Sequence, residues 1–247
     1  MGEEAQSNLA VDPDSVTVRW SDSQRYSPAP RHRRRLILNR LRGLAFQSFL
    51  DAGCAQGYLL EAIHNLLPER EAYGCDLSAE AIRLNRTQLP WGHFETLDLA
   101  AERWPGQRQF ELVLCSEVLE HIPDWQAAAA NLAAMTARHL LITVPGGKRY
   151  WIDEHIGHHH HFAGPELAAS LGEHGLRLRQ AQHWGFPIHS LYKKLINQVA
   201  PEQMYASFGE GTYGPGKKLV SNLVYGLFYA NDLFQRGSQL VFLFERS

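Results

Sequence analysis

Two glutamates and a histidine stand close together in the segment SEVLEH, residues 116–121. On a helical turn, Glu117, Glu120 and His121 fall at positions i, i+3 and i+4, so one face would present all three side chains. A second polar segment, HIGHHHHFAGPEL, lies downstream and contributes His155 and His158 to His161. Because carboxylate oxygens and imidazole nitrogens together can bind a divalent cation, the two segments suggest a metal site.

Two other interpretations use the same residues. His121 could act as a general base without any metal, since histidine titrates near neutral pH and can accept the proton of a substrate hydroxyl. Alternatively, His121 caps a helix and the downstream histidines form a solvated loop. The sequence leaves these three interpretations open.

The clearest ligand-binding motif is a glycine turn in FLDAGCAQGYLLEAI, residues 49–63. An apolar strand is predicted to end at Asp51, and Gly53 and Gly57 then flank a tight turn that opens a helix. Glycine lets the backbone approach a ligand closely, and the first N–H groups of a helix can bind a carboxylate or a phosphate. An ordinary strand–helix turn is the alternative explanation for this motif taken alone.

Acidic residues follow the next two predicted strands. Asp76 lies 19 residues after Gly57, at the spacing of an acid that accepts hydrogen bonds from ribose hydroxyls. Asp98 follows the third strand, where its carboxylate could accept from an adenine amino group while Leu97 or Leu99 packs on the ring. Each acid alone could be a helix cap or a turn residue. Together with the glycine turn they predict one site, because open α/β sheets bind ligands at this carboxyl edge.

Alternating strands and helices must position these residues. Apolar runs predict strands over 46–51, 71–75, 93–97, 110–115, 139–144, 176–184 and 239–246. Helices are predicted over 25–42, 58–67, 78–89, 125–136 and 164–175, with a loop over 148–163. Ser78 is expected to cap one helix and Gly175 to end another. Such alternation is typical of βαβ units and a parallel sheet.

The motif set DAGCAQG, GCDLS, TLDLA, FELVLCSEVLEHIPD and HLLITVPGG resembles the class I S-adenosylmethionine-dependent methyltransferases over residues 46–185 and the final strand. The resemblance implies an α/β, Rossmann-like fold: a seven-stranded sheet with an antiparallel last strand and helices on both faces. It also implies in-line transfer of a methyl group from S-adenosylmethionine to a nucleophile.

The same resemblance implies how the cofactor is held. Gly53 and Gly57 would line its methionine part, Asp76 would bind the ribose and Asp98 the adenine. The full set of expected cofactor contacts is Asp51, Gly53, Cys54, Gly57, Asp76, Leu77, Asp98, Leu99, Ser116 and Glu117. One departure is Ala55, which stands where the family usually has a third glycine. It adds one methyl group, so we expect cofactor binding to survive.

Two metal-associated branches of this superfamily show a similar second constellation: the phenol O-methyltransferases of the ubiquinone pathway and the RNA 3′-terminal 2′-O-methyltransferases. Both have E-x-x-E-H after the fourth strand and a later histidine before a helix, which the spacing to Phe162 matches to His158. The resemblance implies that Mg²⁺, Mn²⁺ or Zn²⁺ would be held by Glu117, Glu120, His121 and His158. Such a cation would lower the pKa of a hydroxyl and orient it for attack. His121 and His158 are the candidate catalytic residues. The chain lacks the tryptophan-containing stretch of the RNA branch after that histidine.

Flanking segments surround this core. We divide the chain into an N-terminal segment with a cap helix, 1–45, and a methyltransferase domain, 46–247, which contains a helical insertion over 185–237. The cap helix carries a block of arginines, from which Arg31, together with the preceding Tyr26, is expected to reach the active site. A charged run is otherwise a solvated helix face.

Apolar and aromatic residues outside the motifs support weaker predictions. Alternating apolar residues over 16–20 could form a short strand. The aromatic residues of the insertion could line a substrate pocket, but most are expected to pack onto the sheet. Tyr225, Phe228 and Tyr229 lie at helical spacing and are expected in the core or in a homodimer face.

Composition narrows the class of protein. The 247 residues include 24 Lys and Arg against 26 Asp and Glu, a net charge of −2. A nucleic-acid-binding protein usually shows a strong basic excess, so a small-molecule substrate is expected and a nucleic-acid partner is not. Three widely spaced cysteines argue against a disulfide framework or a zinc knuckle. The acidic start is no secretory signal and no run of about 18 apolar residues occurs, so we expect a cytoplasmic protein without a membrane span.

These observations lead to one expected function and two rivals. We expect a methyltransferase that acts on a small molecule, at a hydroxyl, with possible assistance from a metal. RNA 2′-O-methylation is the alternative among enzymes. A non-catalytic binding module or scaffold on the same fold is the alternative outside them, because a fold alone does not prove a function.

Overall fold

The computed structural model describes residues 21–199 and 212–247. Within them one sheet is formed by β1 (Ser48–Ala52), β2 (Glu71–Asp76), β3 (His93–Thr96), β4 (Phe110–Ser116), β5 (Thr136–Pro145), β6 (Leu176–Trp184) and β7 (Gln239–Arg246). The strand order is β3–β2–β1–β4–β5–β7–β6. The strand β7 runs antiparallel to both of its neighbours, and the other pairings are parallel. This topology confirms the predicted fold class.

Helices cover both faces of the sheet. They are α1 (Ser21–Tyr26), α2 (Pro28–Leu41), α3 (Tyr58–Leu66), α4 (Ala79–Gln88), α5 (Trp125–Met135), α6 (Trp151–His155), α7 (Gly164–Glu173), α8 (Ile188–Ile196) and α9 (Pro215–Phe228). The hydroxyl of Ser78 accepts a hydrogen bond from the Ala81 N–H at 3.0 Å, which confirms it as the cap of α4. Gly175 follows α7 with a φ of +76°, as expected of a glycine that ends a helix.

The central strands are buried on both sides. Leu112 and Leu114 of β4 pack into one core cluster together with Ile37 of the cap helix α2. The alternate residues Val113 and Cys115 pack into the cluster on the opposite face. Strands between two helical layers need apolar residues on both faces, which explains the largely apolar segment 110–115 that predicted β4.

Two local predictions differ from the structure. The predicted loop over 148–163 contains the short helix α6, whose Asp153 carboxylate accepts from the Tyr150 N–H at 2.8 Å. Asp153 is only 4% exposed, so burial holds a turn whose sequence shows little helical pattern. The strand β5 begins at Thr136 rather than at residue 139, because Thr136 pairs with Phe110 of β4. The strand predicted over 16–20 lies outside the described residues.

The insertion contributes α8 and α9 next to the cap helix. Arg31 of α2 donates to Asn222 Oδ1 of α9 at 2.7 Å, and Phe228 at the end of α9 is fully buried. The opposite side of α9 exposes Leu219, Val220, Leu223 and Leu227. Phe228 is therefore a core residue. None of the helices within the described ranges is both long and apolar enough to cross a membrane.

Candidate active site

The glycine turn after β1 is held by its own backbone. The N–H groups of Gly53 and Cys54 both donate to the Cys75 carbonyl, at 2.8 and 2.9 Å. Gly53 has a φ of +79°, a conformation that side chains disfavour. A Cβ placed there would lie 2.3 Å from Cγ2 of Val118. Only glycine fits this position beside Val118, and we expect the turn to form a cradle for a ligand.

The departure at Ala55 carries a conformational cost. Ala55 has a φ of +43°, in the left-handed region. Its N–H donates to Asp76 Oδ2 at 2.8 Å, and its carbonyl accepts from Asn85 Nδ2 at 2.7 Å. These two hydrogen bonds hold the alanine in a conformation suited to the glycine of the family pattern. Asn85 carried no signal in the sequence, since its partner is a backbone carbonyl 30 residues away.

Ala55→Gly is expected to stabilise the protein by about 0.5 to 1 kcal/mol. Relief of the left-handed conformation gains about 1–2 kcal/mol, and the greater freedom of glycine in the unfolded chain takes back about 0.5–1 kcal/mol. Urea unfolding measures the difference. Ala101→Gly is the matched control, because this exposed alanine has no positive φ and should only lose stability. Equal losses in both variants would contradict the expected strain.

A cavity of about 150 Å³ opens beside the glycine turn. Five expected cofactor contacts line it: Asp51, Gly53, Cys54, Ser116 and Glu117. Arg33 and Arg34 of the cap helix close its other side. The other five, Gly57, Asp76, Leu77, Asp98 and Leu99, do not line the cavity.

The acids at the neighbouring strand ends make local contacts. Asp76 accepts from the Ser78 N–H at 2.9 Å in addition to Ala55, so it fixes the turn between β2 and α4. Leu77 is 57% exposed directly beside it. Asp98 accepts from the Ala100 N–H at 2.9 Å, and Leu99 is buried in the core. These roles for Asp76 and Asp98 in turns are compatible with cofactor binding and do not require it.

Asp51 is buried beside Asp76. Burial, and to a lesser extent the negative charge of Asp76, raises the pKa of the Asp51 carboxyl group to about 7. The unfolded chain releases this proton near pH 4. The stability that comes from the folded-state proton is therefore present below about pH 4 and lost as the pH rises through about 7.

The free energy of unfolding of the wild type should accordingly fall, relative to Asp51→Asn, by up to about 1.4 kcal/mol per pH unit between pH 4 and 7. The amide keeps the shape and cannot ionise. Urea unfolding of both proteins across this range gives the difference, in which the other titrating groups cancel. Parallel pH profiles would rule out a shifted Asp51.

The segment 116–121 does not form the predicted helical face. Glu117 has a φ of +56°, and its N–H donates to the Thr143 carbonyl at 2.8 Å. Only a 3₁₀ turn follows, over Leu119–His121. The prediction of one helical face was therefore wrong, because Glu117 bonds to β5 in a left-handed conformation and the turn begins only at Leu119.

Glu117 is held by the cap helix. Its Oε2 lies 2.9 Å from Nη1 of Arg33, and both side chains are mostly buried. The expectation that Arg31 and Tyr26 reach the site was wrong, because neither side chain lines a cavity at the site. Arg31 instead lies over the Tyr225 ring at 3.9 Å. The signal that identifies Arg33 is helical spacing, since it precedes the buried Ile37 by one turn.

Glu120, His121 and His158 converge, each offering a ligand atom within 4.8 Å of the others. The loop that carries His158 is clamped onto the turn, because the His159 N–H donates to the Glu120 carbonyl at 2.7 Å. Glu120 is fully buried, and neither of its carboxylate oxygens has a hydrogen-bond partner among the described residues. Burial and the neighbouring Glu117 raise its pKa well above the ordinary value. Glu117 is not part of this convergent group.

Both histidines are held neutral. Burial lowers the pKa of His121. Burial, followed by the nearby His121, His161, Lys193 and Arg33, lowers that of His158 to about 2. The Nδ1 atom of His121 lies 3.2 Å from the Gly157 carbonyl. A carbonyl only accepts, so Nδ1 donates and the lone pair of His121 is on Nε2.

A second cavity, of about 320 Å³, lies beside this group. Glu117, Glu120, His121 and His158 line it, and its far wall is apolar, from Pro30, Ile152, Ile156, Tyr192 and Ile196. The insertion therefore contributes side chains to the pocket, mainly through Tyr192 and Lys193. Arg33 and Glu117 line both cavities, so their ion pair marks the boundary between them.

Residues 22–181 match the family model of a methyltransferase domain. The chain belongs to this family, the class I S-adenosylmethionine-dependent methyltransferases, which confirms the resemblance seen in its motifs. The ubiquinone biosynthesis O-methyltransferase of Photorhabdus laumondii is 29% identical over 157 residues, which cover 58% of this chain and 64% of that protein. The protein of the same name from Sodalis glossinidius is 31% identical over 148 residues, 56% of this chain and 55% of its own.

The chain thus spans less than two thirds of the length of these curated relatives. A solved structure, the N-methyltransferase NodS of Bradyrhizobium japonicum in complex with S-adenosylhomocysteine, superposes with a TM-score of 0.57. It is 18% identical and covers 95% of this chain and 98% of its own. At that identity the likeness shows the fold. The insertion lies beyond the residues matched by the family model.

Proposed function

We propose that this protein transfers a methyl group from S-adenosylmethionine to a hydroxyl of a small molecule, with a divalent cation bound by Glu120, His121 and His158. One observation carries the proposal: a buried carboxylate, with no hydrogen-bond partner among the residues that the structure describes, faces two neutral imidazoles at the wall of a cavity. An unpaired buried carboxylate is costly, and a cation would supply the missing partner. The name of the curated relatives, O-methyltransferases of ubiquinone biosynthesis, supports a hydroxyl acceptor.

The donor set fits the cation. One carboxylate and two imidazoles suit Zn²⁺ or Mn²⁺ and leave further positions open. A cation there would lower the pKa of an acceptor hydroxyl and so would increase the share of the nucleophilic oxyanion. Glu117, which the sequence analysis included among the ligands, pairs with Arg33 of the cap helix instead and is left out of the proposed ligand set.

The chain's own residues do the positioning. Asp51, Gly53, Cys54 and Ser116 would hold the cofactor against the glycine turn, where its sulfonium supplies an electrophilic methyl group. The apolar wall of the larger cavity would bury the body of the acceptor and exclude water. The cap helix closes both cavities through Arg33, so donor and acceptor are enclosed together.

The alternative mechanism uses a histidine alone. The lone pair at Nε2 of His121 could take the hydroxyl proton directly. The neutral state of the imidazole allows this, but its lowered pKa makes it a weaker base than an ordinary histidine. The unpartnered Glu120 favours the cation. An RNA acceptor has less support, because the larger cavity is compact and mostly apolar.

Three predictions from the sequence stay proposals. The division at residue 45 and a cytoplasmic location are two of them. A homodimer is the third. Its interface would use the exposed stripe of α9, Leu219, Leu223 and Leu227, rather than the buried Phe228.

The test is methyl transfer by purified protein from isotopically labelled S-adenosylmethionine to a panel of phenols, other alcohols, amines and a short RNA, followed by mass spectrometry. Each reaction is run after chelation and after adding back Mg²⁺, Mn²⁺ or Zn²⁺. Methylation of a hydroxyl that is lost on chelation and restored by one ion is expected. Metal-independent hydroxyl methylation would favour the His121 mechanism. Methylation of amines or RNA alone would overturn the proposed acceptor, and calorimetric failure to bind S-adenosylhomocysteine would favour the scaffold.

A further inference from the structure

His158 contacts a second buried histidine, His161. Nδ1 of His158 lies 3.1 Å from Nε2 of His161, and Nδ1 of His161 lies 3.3 Å from the Gly147 carbonyl oxygen. The His161 side chain is 3% exposed. Three groups are therefore linked in a row: the Gly147 carbonyl, the His161 imidazole and the His158 imidazole.

The first group in this series fixes the proton positions in the others. The Gly147 carbonyl can only accept, so Nδ1 of His161 must carry a proton. In the neutral ring Nε2 is then an acceptor, and its donor is Nδ1 of His158. The remaining nitrogen of His158, Nε2, is left with a free lone pair.

The surroundings keep His161 in place. Asp153 Oδ2 lies 3.7 Å from Nε2 of His161, and Asp153 Oδ1 pairs with Nζ of Lys193 at 3.0 Å. The Asp153 carbonyl also accepts from the His158 N–H at 2.8 Å. Asp153 thus links α6, the His158 loop and α8, and its charge is already matched by a lysine.

We propose that His161 is a positioning residue for His158. Its hydrogen bond to the Gly147 carbonyl fixes its own tautomer, and this tautomer keeps Nε2 of His158 unprotonated, so that Nε2 can bind a ligand at the active site. The consequence for cation binding rests on the proposed function, whereas the tautomer of His158 does not. Few residues can replace His161, because a side chain at this position must donate a hydrogen bond to the Gly147 carbonyl and accept one from the His158 imidazole. Glutamine has such a pair of atoms and phenylalanine has none.

The tautomer is measured directly in metal-free protein labelled with ¹⁵N at histidine, at pH 8, from long-range ¹H–¹⁵N correlations. His158→Gln identifies the resonances by their loss. The wild type should show His158 protonated at Nδ1 alone. His161→Phe should shift His158 toward the tautomer protonated at Nε2, and His161→Gln should keep the wild-type pattern. His160→Phe is the matched control, since His160 stacks on Trp125 and pairs with Glu166 outside this series.

Zn²⁺ titration provides the second readout. Loss of a residue that orients a ligand costs about 10- to 100-fold in metal affinity, so His161→Phe should bind Zn²⁺ that much more weakly, with affinity largely recovered in His161→Gln. S-adenosylhomocysteine binding in each variant checks the fold. A wild-type His158 protonated at Nε2, or one whose tautomer is unchanged in His161→Phe, would overturn the inference. If His161→Phe does not fold, the tautomer of His158 in the wild type and in His161→Gln still tests the inference, because both should be protonated at Nδ1 alone. If the tautomers are as expected but the protein binds no Zn²⁺, the proposed cation site is overturned and the role of His161 stands.

Discussion

Glu120→Gln is expected to lower metal-dependent methyl transfer about a hundredfold or more, because it removes the only carboxylate of the three-residue group. A bound cation supplies several kcal/mol to the reaction, and each 1.4 kcal/mol is a factor of about ten in rate. The metal-free protein should not lose stability. Burial and Glu117 already favour the protonated, neutral form of Glu120, and glutamine has the same size and no charge.

The comparison needs two measurements on each protein: turnover with saturating metal and the unfolding midpoint after chelation. Glu69→Gln is the matched control, since this exposed residue precedes β2 at the opposite edge of the sheet and should change neither value. A Glu120→Gln enzyme with turnover within about threefold of the wild type would remove Glu120 from the chemistry. A large drop in the unfolding midpoint would instead show that the carboxylate is structural.

Gly53→Ala is expected to abolish S-adenosylhomocysteine binding and to lower the free energy of unfolding by about 2 to 5 kcal/mol. The φ of +79° costs an alanine about 1–2 kcal/mol. Overlap with Val118 adds about 1–3 kcal/mol, because the new Cβ would lie 2.3 Å from Cγ2 of that residue. The backbone must move to relieve both, and the ligand cradle moves with it.

Two comparisons separate these causes. Gly106→Ala has a similar φ of +68° with nothing within 4 Å of the added Cβ, so it should show the conformational cost alone. In a Val118→Ala background, Gly53→Ala should cost only this smaller amount. Urea unfolding and calorimetric titration with S-adenosylhomocysteine provide the values. Unchanged ligand binding in Gly53→Ala would show that the glycine turn does not hold the cofactor.

The sequence by itself determined the order and type of the central elements. Parallel strands buried on both faces need apolar runs, and β4 shows one in LVLC, residues 112–115. Helix boundaries were also local, as the Ser78 cap and the Gly175 stop show. The glycine turn could be located for the same reason, since the positive φ of Gly53 is a local backbone conformation that favours glycine. These features follow from near neighbours along the chain, so a single sequence reveals them.

Only the tertiary structure decided how the polar residues divide into groups. Spacing placed Glu117 with Glu120 and His121 on one helical face, but the Glu117 N–H bonds to Thr143 of β5 and its carboxylate pairs with Arg33 of the cap helix. The spacing to Phe162 selected His158 through the family resemblance, but it gave no role to His161. Their difference depends on the Gly147 carbonyl and on Asp153, which meet them through folding. Hydrogen-bond partners and burial are set by contacts between distant segments, and these contacts decide which side chains face the cavity.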